Sequence, residues 1–518
     1  MNDDLKKKVS RRKFLVLSGA SAAGLLAACA PPAAPANAPA KTDAKPADAK
    51  ATEAPAKEAP KDSGSYELLY IYPNFQAGGI KDLPAVNEKL NQVLQERIGM
   101  TIKLESIDFG AWGDKIQLMS AGGEKYDMAY TATWTNDYYK NVSNGVFAEI
   151  DDLIQQRAPG LYKSMPVATW NAAKVKGKLY ATINQQMFPK LAGVVIRKDV
   201  VDKYKIPVNE LDVVAQLEPH LEAIKKGENI VPLGDYGLFQ YAELYNHVPV
   251  YDGTGYVWVD PFTGDSKLKF IYEMQEFADS WKLHRSWWEK GYVPKDTAKG
   301  DELRQAWKAG KHAVQFNPVT KPKGEAEARS VYGQDIVLRA LCKPSLNTAG
   351  IVATLTGVSR TGDPDKALQF LELINTDKSV YNLMCVGIEG THWKWKNKDS
   401  EVIEQVKDSA YNPTTDWMFG NQFNAYYREE AQVGSWAETK KINDSATPSP
   451  LLGFAFDPEP VKTEIAAVSA ILESKTPFGS KGQTDEQLPA IAKEVRDAGA
   501  TKVLEEMQKQ IDAWKAKK

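Results

Sequence analysis

The stretch Tyr66–Tyr72, YELLYIY, opens the folded part of the chain as a short apolar run rich in aromatic residues. A run of this length and composition is typical of a buried strand. Thr101–Ile107 and Asp127–Ala132 are two further strand-like runs, and helix-like segments separate the three. Strands that alternate with helices predict a parallel sheet with right-handed crossovers. The sequence therefore predicts an α/β fold that begins as β-α-β-α-β.

The segments between these strands have the spacing of amphipathic helices. Asp82 precedes the first segment as a candidate N-cap, and Gly99 follows it as the expected C′ residue. The second segment ends at Gly122-Gly123. The apolar residues expected on one helix face are Val86, Leu90, Leu94 and Ile98 in the first segment, and Trp112, Ile116 and Met119 in the second.

Open α/β sheets bind ligands beyond the carboxyl ends of their strands. At those positions this chain has aromatic, amide and carboxylate side chains, which can stack on a ligand and hydrogen-bond to it. The candidate binding residues there are Asn74, Phe75, Asp108, Trp112 and Trp134.

Structural roles are the alternative for these candidates. Asn74 and Phe75 could form a turn, in the Pro-Asn-Phe-Gln-Ala-Gly-Gly loop. Asp108 could cap the helix that is predicted to begin at Ala111. Trp134 could be a core residue beneath the next helix.

The first 28 residues predict an exported protein. A basic segment precedes the weakly apolar stretch Phe14–Ala28, which is shorter than the ~20 residues of a membrane-spanning helix and is typical of a signal peptide. Ser10–Leu15 resembles a twin-arginine export signal. Leu26–Cys29 resembles a bacterial lipobox, which predicts lipidation of Cys29. An ordinary signal peptide with an incidental cysteine is the alternative.

Residues 29–65 predict a disordered tether that begins at the lipidated cysteine. Between residues 30 and 65, 13 positions are Ala and 7 are Pro, and the segment has no aromatic residue. Such a composition cannot bury enough apolar surface to offset the entropy of ordering the chain. We expect the tether to hold the folded body, residues 66–518, above a membrane.

The composition argues against several functions. The formal net charge is −2 and no basic stripe occurs, which argues against nucleic-acid binding. The five histidines are dispersed, and no metal-binding spacing, nucleophile elbow, Walker loop or dinucleotide fingerprint is found. We therefore expect no catalytic centre, no metal and no cofactor. Cys342 and Cys385 could form a disulfide after export or remain two buried thiols.

Later segments continue the alternation of strands and helices less regularly. Residues 266–290 predict one long helix rich in aromatic residues, and Asp363 is expected to cap another helix. Asp252–Gly255 predicts a hairpin turn rather than a calcium loop. Two helices, near 485–498 and 501–515, are expected to end the chain.

Several stretches, taken in their order and spacing, resemble the extracellular solute-binding proteins of ABC importers. The family is the one that includes the maltose-binding protein, and the likeness is to its LipO-like lipoprotein branch. The stretches include Ile116–Asp127, Gly145–Asp151, Val175–Ala181, Ala309–Pro318, Gly387–Trp393 and Phe454–Val461.

The resemblance implies a type II periplasmic-binding-protein fold of two lobes, each a sheet flanked by helices, joined by crossover hinge segments. The expected lobe 1 comprises residues 66–181 and 349–440, and the expected lobe 2 comprises residues 182–348 and 441–518. The implied protein is a lipid-anchored monomer on the extracytoplasmic face of the cell membrane. It would capture a carbohydrate, expected to be an oligosaccharide, between its lobes and deliver it to the permease subunits of an ABC importer.

The family fold also places further candidate binding residues. Asn184 and Gln185 lie just past the first crossover, and their amides can both donate and accept hydrogen bonds. Tyr241 lies in the part of lobe 2 where the maltose-binding protein uses a Tyr. Trp393 and Trp417 lie in predicted loops of lobe 1. The alternatives are a polar hinge surface for the amides and internal packing for the aromatic residues.

Three other functions fit parts of this pattern. An exported polysaccharide-cleaving enzyme would also expose tryptophans and would need two carboxylates, and its turnover of glycans would reveal it. The same fold could bind a peptide, which would then raise the melting temperature. A purely structural surface lipoprotein would show no compaction with any ligand.

Overall fold

The computed structural model describes residues 65–76, 79–235, 237–239, 241–295, 301–475 and 486–517. The predicted signal peptide, Cys29 and all but the last residue of the predicted tether lie outside these residues. None of the helices within the described ranges has both the length and the apolar character needed to cross a membrane.

The elements are numbered here in chain order. The strands are β1 Glu67–Asn74, β2 Thr101–Asp108, β3 Met128–Thr131, β4 Ala181–Ile183, β5 Gly193–Arg197, β6 Val248–Pro249, β7 Val257–Val259, β8 Lys269–Phe270, β9 Val314–Asn317, β10 Ile336–Ala340, β11 Ser345–Leu346, β12 Leu355–Val358, β13 Trp393–Asn397, β14 Val402–Gln405 and β15 Thr447–Pro448. The helices are α1 Leu83–Ile98, α2 Phe109–Gly122, α3 Tyr138–Ser143, α4 Asp151–Arg157, α5 Pro159–Lys163, α6 Val167–Ala172, α7 Lys198–Tyr204, α8 Glu218–Glu228, α9 Gln275–Glu289, α10 Asp301–Lys308, α11 Glu325–Tyr332, α12 Thr348–Ile351, α13 Pro364–Thr376, α14 Lys378–Val386, α15 Ser435–Ser445, α16 Lys462–Lys475, α17 Gln487–Val495 and α18 Thr501–Lys515.

A five-stranded sheet contains the strands predicted at the start of the folded body. Its order is β2-β1-β3-β12-β4, and β1 runs parallel to both β2 and β3. The register pairs Asn74 with Asp108, so β1 and β2 end at the same edge of the sheet. β12 runs antiparallel between β3 and β4. The predicted parallel arrangement of the first three strands is confirmed, and the whole sheet is mixed.

A second, three-stranded sheet has the order β10-β5-β9 and is antiparallel. Three small sheets join β6 with β7 and β8, β11 with β15, and β13 with β14. The connection between β6 and β7 includes residues 252–254, so the hairpin predicted there is confirmed.

Separate hydrophobic cores accompany the two large sheets. The core of the five-stranded sheet takes its buried residues from positions 68–188 and 351–425. The core of the three-stranded sheet takes its buried residues from positions 192–341. A third core joins positions 242–281 with positions 451–511, so the end of the chain packs on the small sheet of β6, β7 and β8.

The first two helices bury the predicted faces. Val86, Leu90 and Leu94 of α1 and Trp112, Ile116 and Met119 of α2 are all buried. Gly99 and Gly123 end these helices with φ of 66° and 65°, a left-handed conformation that glycine adopts at little cost.

Asp82 occupies the predicted N-cap position of α1, but its side chain makes no capping hydrogen bond. Pro84 occupies the second helical position and has no N–H to donate to it. The Asp82 carboxylate lies instead 3.2 Å from Nε2 of His392. Asp363, by contrast, accepts a hydrogen bond from the backbone N–H of Lys366, as predicted.

The long helix predicted over residues 266–290 is wrong in its first part. β8 pairs with β7, and an extended residue, Met274, separates this strand region from α9. Strand pairing has overridden the local helical pattern here. Cys342 and Cys385 are both free thiols.

Candidate ligand-binding site

Four aromatic rings form a cluster at the edge where the parallel strands end. We call Phe75, Phe109, Trp134 and Trp417 the aromatic platform. The centroids of Phe75 and Phe109 are 4.7 Å apart, and those of Phe109 and Trp134 are 6.1 Å apart. Trp417 closes the cluster, with centroid distances of 5.9 Å to Phe75 and 6.3 Å to Trp134.

The platform is unusual because its rings remain accessible to solvent. Trp134 is 46% exposed, Phe109 is 41% exposed and Phe75 is 37% exposed. Scattered apolar side chains on a surface need no explanation, but a contiguous exposed aromatic patch marks a binding surface. The five-stranded sheet therefore presents a ready-made apolar face at the carboxyl ends of β1, β2 and β3.

Local turns at the strand ends position the rings. The side-chain oxygen of Asn74 accepts a hydrogen bond from the backbone N–H of Gln76 at 2.9 Å, which turns the chain outward at Phe75. The carboxylate of Asp108 accepts from the backbone N–H of Gly110 at 2.9 Å and so caps α2, whose first residue is Phe109. The turns that end β1 and β2 thus set the positions of the Phe75 and Phe109 rings.

Trp134 is held in place by one hydrogen bond and one buried neighbour. Its indole Nε1–H donates to the carbonyl of Ala353 at 2.9 Å. Tyr130, buried beneath the platform, lies 6.1 Å from the ring centroids of both Trp134 and Trp417. Burial raises the pKa of Tyr130 well above its usual value, so its hydroxyl stays protonated and donates to the same Ala353 carbonyl at 3.3 Å. The ring is therefore preorganised rather than loosely attached.

A small polar pocket of about 100 Å³ adjoins Trp417. We call it the polar pocket and define it by Trp417, Asp416, Arg428, Gln422 and Glu327. Nη2 of Arg428 donates to both carboxylate oxygens of Asp416, at 3.1 and 3.0 Å. The charge of Asp416 raises the pKa of the Arg428 guanidinium above its usual value. The pocket thus places an ion pair and an amide next to an aromatic ring.

Charged side chains near the polar pocket connect the region of α11 with residues 422–438. Nζ of Lys321 donates to Glu327 at 2.9 Å and lies 3.4 Å from Oε1 of Gln422. Lys323 pairs with Glu438 at 2.9 Å, and Arg329 pairs with Glu429. All of these contacts except Lys321–Glu327 join two parts of the chain that have different cores.

Tyr241 lies on the three-stranded-sheet part of the molecule. Its ring centroid is 4.2 Å from that of Phe316, which is near the end of β9. Just upstream, the buried carboxylate of Asp235 accepts from the backbone N–H groups of Gly237 at 2.8 Å and Phe316 at 3.1 Å. Burial raises the pKa of Asp235 to about 6. The buried carboxylate of Asp235 thus connects β9 with the segment that precedes Tyr241.

Of the candidates from the sequence, the structure brings Phe75, Trp134 and Trp417 together. Asp108 lies beside them, exposed, as the cap of α2. Asp108 therefore caps a helix, which was the alternative to ligand binding for this residue. The helix begins at Phe109 rather than at Ala111. Tyr241 is 37% exposed and packs on Phe316 of β9, a strand of the other large sheet.

Trp112 and Trp393 were predicted to line the ligand site, but in this conformation both are buried. Trp112 is fully buried because it lies on the face of α2 that carries Ile116 and Met119. Trp393 is 6% exposed, and its Nε1–H donates to the carbonyl of Gly387 at 2.9 Å. It packs edge-on against Trp395, so it covers a local cluster rather than a cleft.

The three candidate amides are also buried and already hydrogen-bonded. Asn74 forms the turn described above. Nδ2 of Asn184 donates to the carbonyl of Met418 at 2.6 Å, and its side-chain oxygen accepts from Thr356 at 3.1 Å. Nε2 of Gln185 donates to Ser164 at 2.9 Å. Their hydrogen-bonding capacity serves the protein itself, so these predictions are corrected to structural roles for the conformation described.

Two features of the site were missed. Phe109 follows β2 as directly as Phe75 follows β1, and this symmetry was a usable signal. Arg428 and its partner Asp416 were missed because they lie 12 residues apart in irregular chain, and no spacing rule brings such residues together.

Comparisons with known proteins agree with this architecture. Residues 450–516 match a family described as Domain of unknown function (DUF3502). The chain is 27% identical over 467 residues to a carbohydrate ABC transporter substrate-binding protein of Streptococcus pneumoniae serotype 4 (strain ATCC BAA-334 / TIGR4), covering 88% of this chain and 92% of that protein.

Two solved structures of the N-glycan transport solute binding protein NgtS from Streptococcus pneumoniae are similar over 88% of this chain and 100% of theirs, at 24% sequence identity. The TM-score is 0.78 for one and 0.71 for the complex with Man5GlcNAc. The resemblance to solute-binding proteins of ABC importers is confirmed, and so is the type II solute-binding-protein fold class.

Proposed function

We propose that this chain captures a carbohydrate on its aromatic platform and delivers it to an ABC importer. The aromatic platform is the observation that carries the proposal. A sugar ring has an apolar face of C–H groups, and stacking on an exposed aromatic ring buries that face without breaking any polar contact. Four adjoining rings provide more than one such surface, which favours an oligosaccharide over a single sugar.

The polar pocket supports the same ligand class. Sugar hydroxyls need donors and acceptors at fixed positions, and a few polar groups beside an apolar surface give a binding site its specificity. Arg428, Asp416 and Gln422 provide such groups beside Trp417, the ring shared by the platform and the pocket. A sugar chain that stacks on the platform could extend its hydroxyls into this pocket.

The relatives support a carbohydrate and an importer as partners. The Streptococcus pneumoniae relative is a carbohydrate ABC transporter substrate-binding protein, and NgtS has been solved with Man5GlcNAc. Capture followed by delivery is also a role that needs no catalysis, so we propose that the protein is not an enzyme.

We further propose that the protein works by closure of two lobes, residues 66–181 with 349–440 and residues 182–348 with 441–518. The separate cores of the two large sheets support this division. The two NgtS structures differ in their TM-score to this chain at equal coverage and identity, which supports a fold with more than one arrangement. A ligand that contacts both lobes would favour the closed state by its extra contacts there.

The proposed location is the extracytoplasmic face of the cell membrane, with the protein anchored by lipid at Cys29. The lipobox-like sequence Leu26–Cys29 supports the anchor, and the transporter relative supports the compartment. A monomer at the end of a tether would suit delivery to the permease subunits of an importer.

Calorimetric titration with Man5GlcNAc tests the function. Binding by the wild-type protein should weaken at least about tenfold in Trp134→Ala, a loss of ~1.4 kcal/mol. Trp288→Ala, which removes a half-buried indole of α9, is the matched control and should leave binding unchanged. X-ray scattering should show compaction with the glycan.

Other outcomes of the same experiment would contradict the proposal. Cleavage of the glycan would identify an enzyme. Binding of peptides but not glycans would assign a different ligand to the same fold. Binding that survives Trp134→Ala and the double variant Phe75→Ala/Phe109→Ala would place the ligand away from the platform.

A further inference from the structure

A second concave surface lies between the beginning of the crossover region and the end of the chain. This groove has a volume of about 1190 Å³, which exceeds the ~300–1,000 Å³ of typical small-molecule pockets. One wall includes α6 and the turn that follows it, and the other includes α18 and residues 449–455. We call it the C-terminal groove. The residues that line it include Asn171, Lys174, Lys176, Phe454, Trp514 and Lys517.

The charged side chains that line the C-terminal groove are all positive. Three lysines line it, and none of the described lining residues is an aspartate or a glutamate. Lys174 is paired with Asp151 at 2.9 Å. Lys176 and Lys517 are exposed and lie on opposite walls. In a chain whose net charge is −2, such a concentration of cations attracts an anion.

Lys176 is held at the tip of a tight turn. The backbone groups of Val175 and Lys178 exchange two hydrogen bonds, of 2.8 and 3.0 Å, so only Lys176 and Gly177 form the loop. Both loop residues have positive φ, 51° and 84°. This conformation favours Asn or Gly at the position of Lys176. The chain therefore presents this ammonium group from a fixed backbone position, although another residue would suit the turn better.

The wall formed by α18 and residues 449–455 provides an aromatic surface. The ring of Trp514 is half-buried, and Phe454 contacts its edge at a centroid distance of 5.7 Å and an interplanar angle of 67°. Gly453, next to Phe454, has a φ of 86°, a left-handed conformation that glycine adopts at little cost. The exposed amide of Asn171 stands on the opposite wall. An aromatic face, an amide and ammonium groups suit a sugar ring that bears a carboxylate.

We infer that the C-terminal groove binds an anionic saccharide, a chain of uronic acid units, at a site separate from the aromatic platform. The C–H face of one unit stacks on Trp514, while carboxylates of neighbouring units pair with Lys176 and Lys517. Much of the lining is exposed, which suits a polymer that passes along a groove rather than a small molecule that must be enclosed. By the proposed lobe bounds the two walls belong to different lobes, so the width of the groove rests on the proposed lobe arrangement, whereas its ligand and its binding residues differ from those of the aromatic platform.

Calorimetric titration of the full chain with an oligomer of galacturonic acid tests the inference. The fully methyl-esterified form of the oligomer is the matched uncharged probe, and we expect it to bind about tenfold more weakly or worse. Binding of the acid form should also weaken as salt is raised, since the Debye length falls from ~10 Å at 0.1 M to ~3 Å at 1 M.

Variants at the two lysines and at Trp514, with one control, locate the site. Lys176→Asn combined with Lys517→Gln should weaken binding at least about tenfold. Lys176→Asn should not lower the melting temperature, because Asn favours the turn conformation. Trp514→Ala should weaken binding comparably. If the alanine variant unfolds, Trp514→Phe replaces it in the test, and it should retain most of the binding because it keeps an aromatic ring. Lys441→Gln, an exposed lysine of α15, should have no effect.

Several results would overturn the inference. The galacturonate oligomer could fail to bind the wild-type protein. Trp134→Ala could abolish its binding, which would assign it to the aromatic platform. Binding that depends on the lysines but not on Trp514 would mean attraction by charge alone, and preferential binding of an acidic peptide would identify a protein-docking groove instead.

Discussion

The aromatic platform and the crossover amides Asn184 and Gln185 were predicted by similar reasoning, yet the structure gives them opposite environments. Phe75, Phe109 and Trp134 of the platform are exposed and Trp417 is half-buried, and the Trp134 indole N–H is bonded within the protein. The amides are buried, and the hydrogen bonds of their side chains are made to other parts of the chain. A side chain suited to bind a sugar is available to do so only where the fold has not already used its polar groups.

The largest effect should come from removing a buried amide. Asn184→Leu leaves the carbonyl of Met418 without its amide donor and the hydroxyl of Thr356 with only Tyr70 as partner, which should lower the free energy of unfolding by ~2–4 kcal/mol. Chemical denaturation measures this change. Asn209→Leu, at an exposed asparagine, is the control and should stay within ~0.5 kcal/mol of the wild type. A variant of Asn184 that keeps its stability but loses glycan binding would contradict the structural role assigned to this amide.

The next effect concerns another buried polar group, Asp235. Its pKa is about 6 in the folded protein, above the ordinary value of 3.8, so the folded state takes up a proton before the unfolded state does. The contribution of Asp235 to stability therefore rises as the pH falls through about 6 and levels off below about 4.

Relative to Asp235→Asn, which cannot titrate, the wild type should gain up to ~2 kcal/mol of unfolding free energy between pH 7 and pH 4. Chemical denaturation of both proteins across this range measures the difference between their unfolding free energies. The pH dependence that the other carboxyl groups cause is common to both proteins and cancels in this difference. Parallel curves for the wild type and Asp235→Asn would show that the Asp235 carboxyl is solvated.

On the platform side, the expected changes lie in affinity rather than stability. Phe109→Ala should weaken binding of Man5GlcNAc about fivefold or more, ~1 kcal/mol, because it removes one stacking surface. Its melting temperature should change little, since the ring is 41% exposed. Calorimetric titration and thermal denaturation together test this. A large fall in stability with unchanged affinity would make Phe109 a structural residue like Asn184.

The smallest effect should come from the ion pairs near the polar pocket. Lys323→Gln breaks the pair with Glu438 and should alter glycan affinity by ~0.5 kcal/mol or less, because exposed pairs contribute little. The change should disappear at high salt. Titrations at two salt concentrations measure it, and Lys440→Gln, which breaks a pair within one helix, is the control.

Much of the first sheet was predictable because its signals are local. The strand runs, the apolar face of α1 and the left-handed glycines follow from neighbouring residues, and so does the position of Phe75 and Trp134 at strand ends. Trp112 was assigned to the site although its helical spacing with Ile116 and Met119 already placed it in the core. The pairing of β8 with β7 could not be seen, because a strand of two residues has no pattern of its own.

The environment of the amides could not be predicted, because it depends on contacts between distant residues. Asn184 bonds to Met418 and Thr356, which lie more than 170 positions away along the chain. Arg428 and Asp416 likewise acquire their role only when irregular segments fold against each other. Residue type indicates what a side chain can bind, whereas only the fold decides what it does bind.

The insertion of β12 between β3 and β4 constrains how the protein is made. During synthesis β3 and β4 leave the ribosome long before β12, so their inner edges have no partner until residue 358 has emerged. Unpaired strand edges promote aggregation, and contacts between distant segments form slowly. A nascent chain that stops before Leu355 should therefore depend on chaperones, and the first sheet should be completed only late in translation or after it.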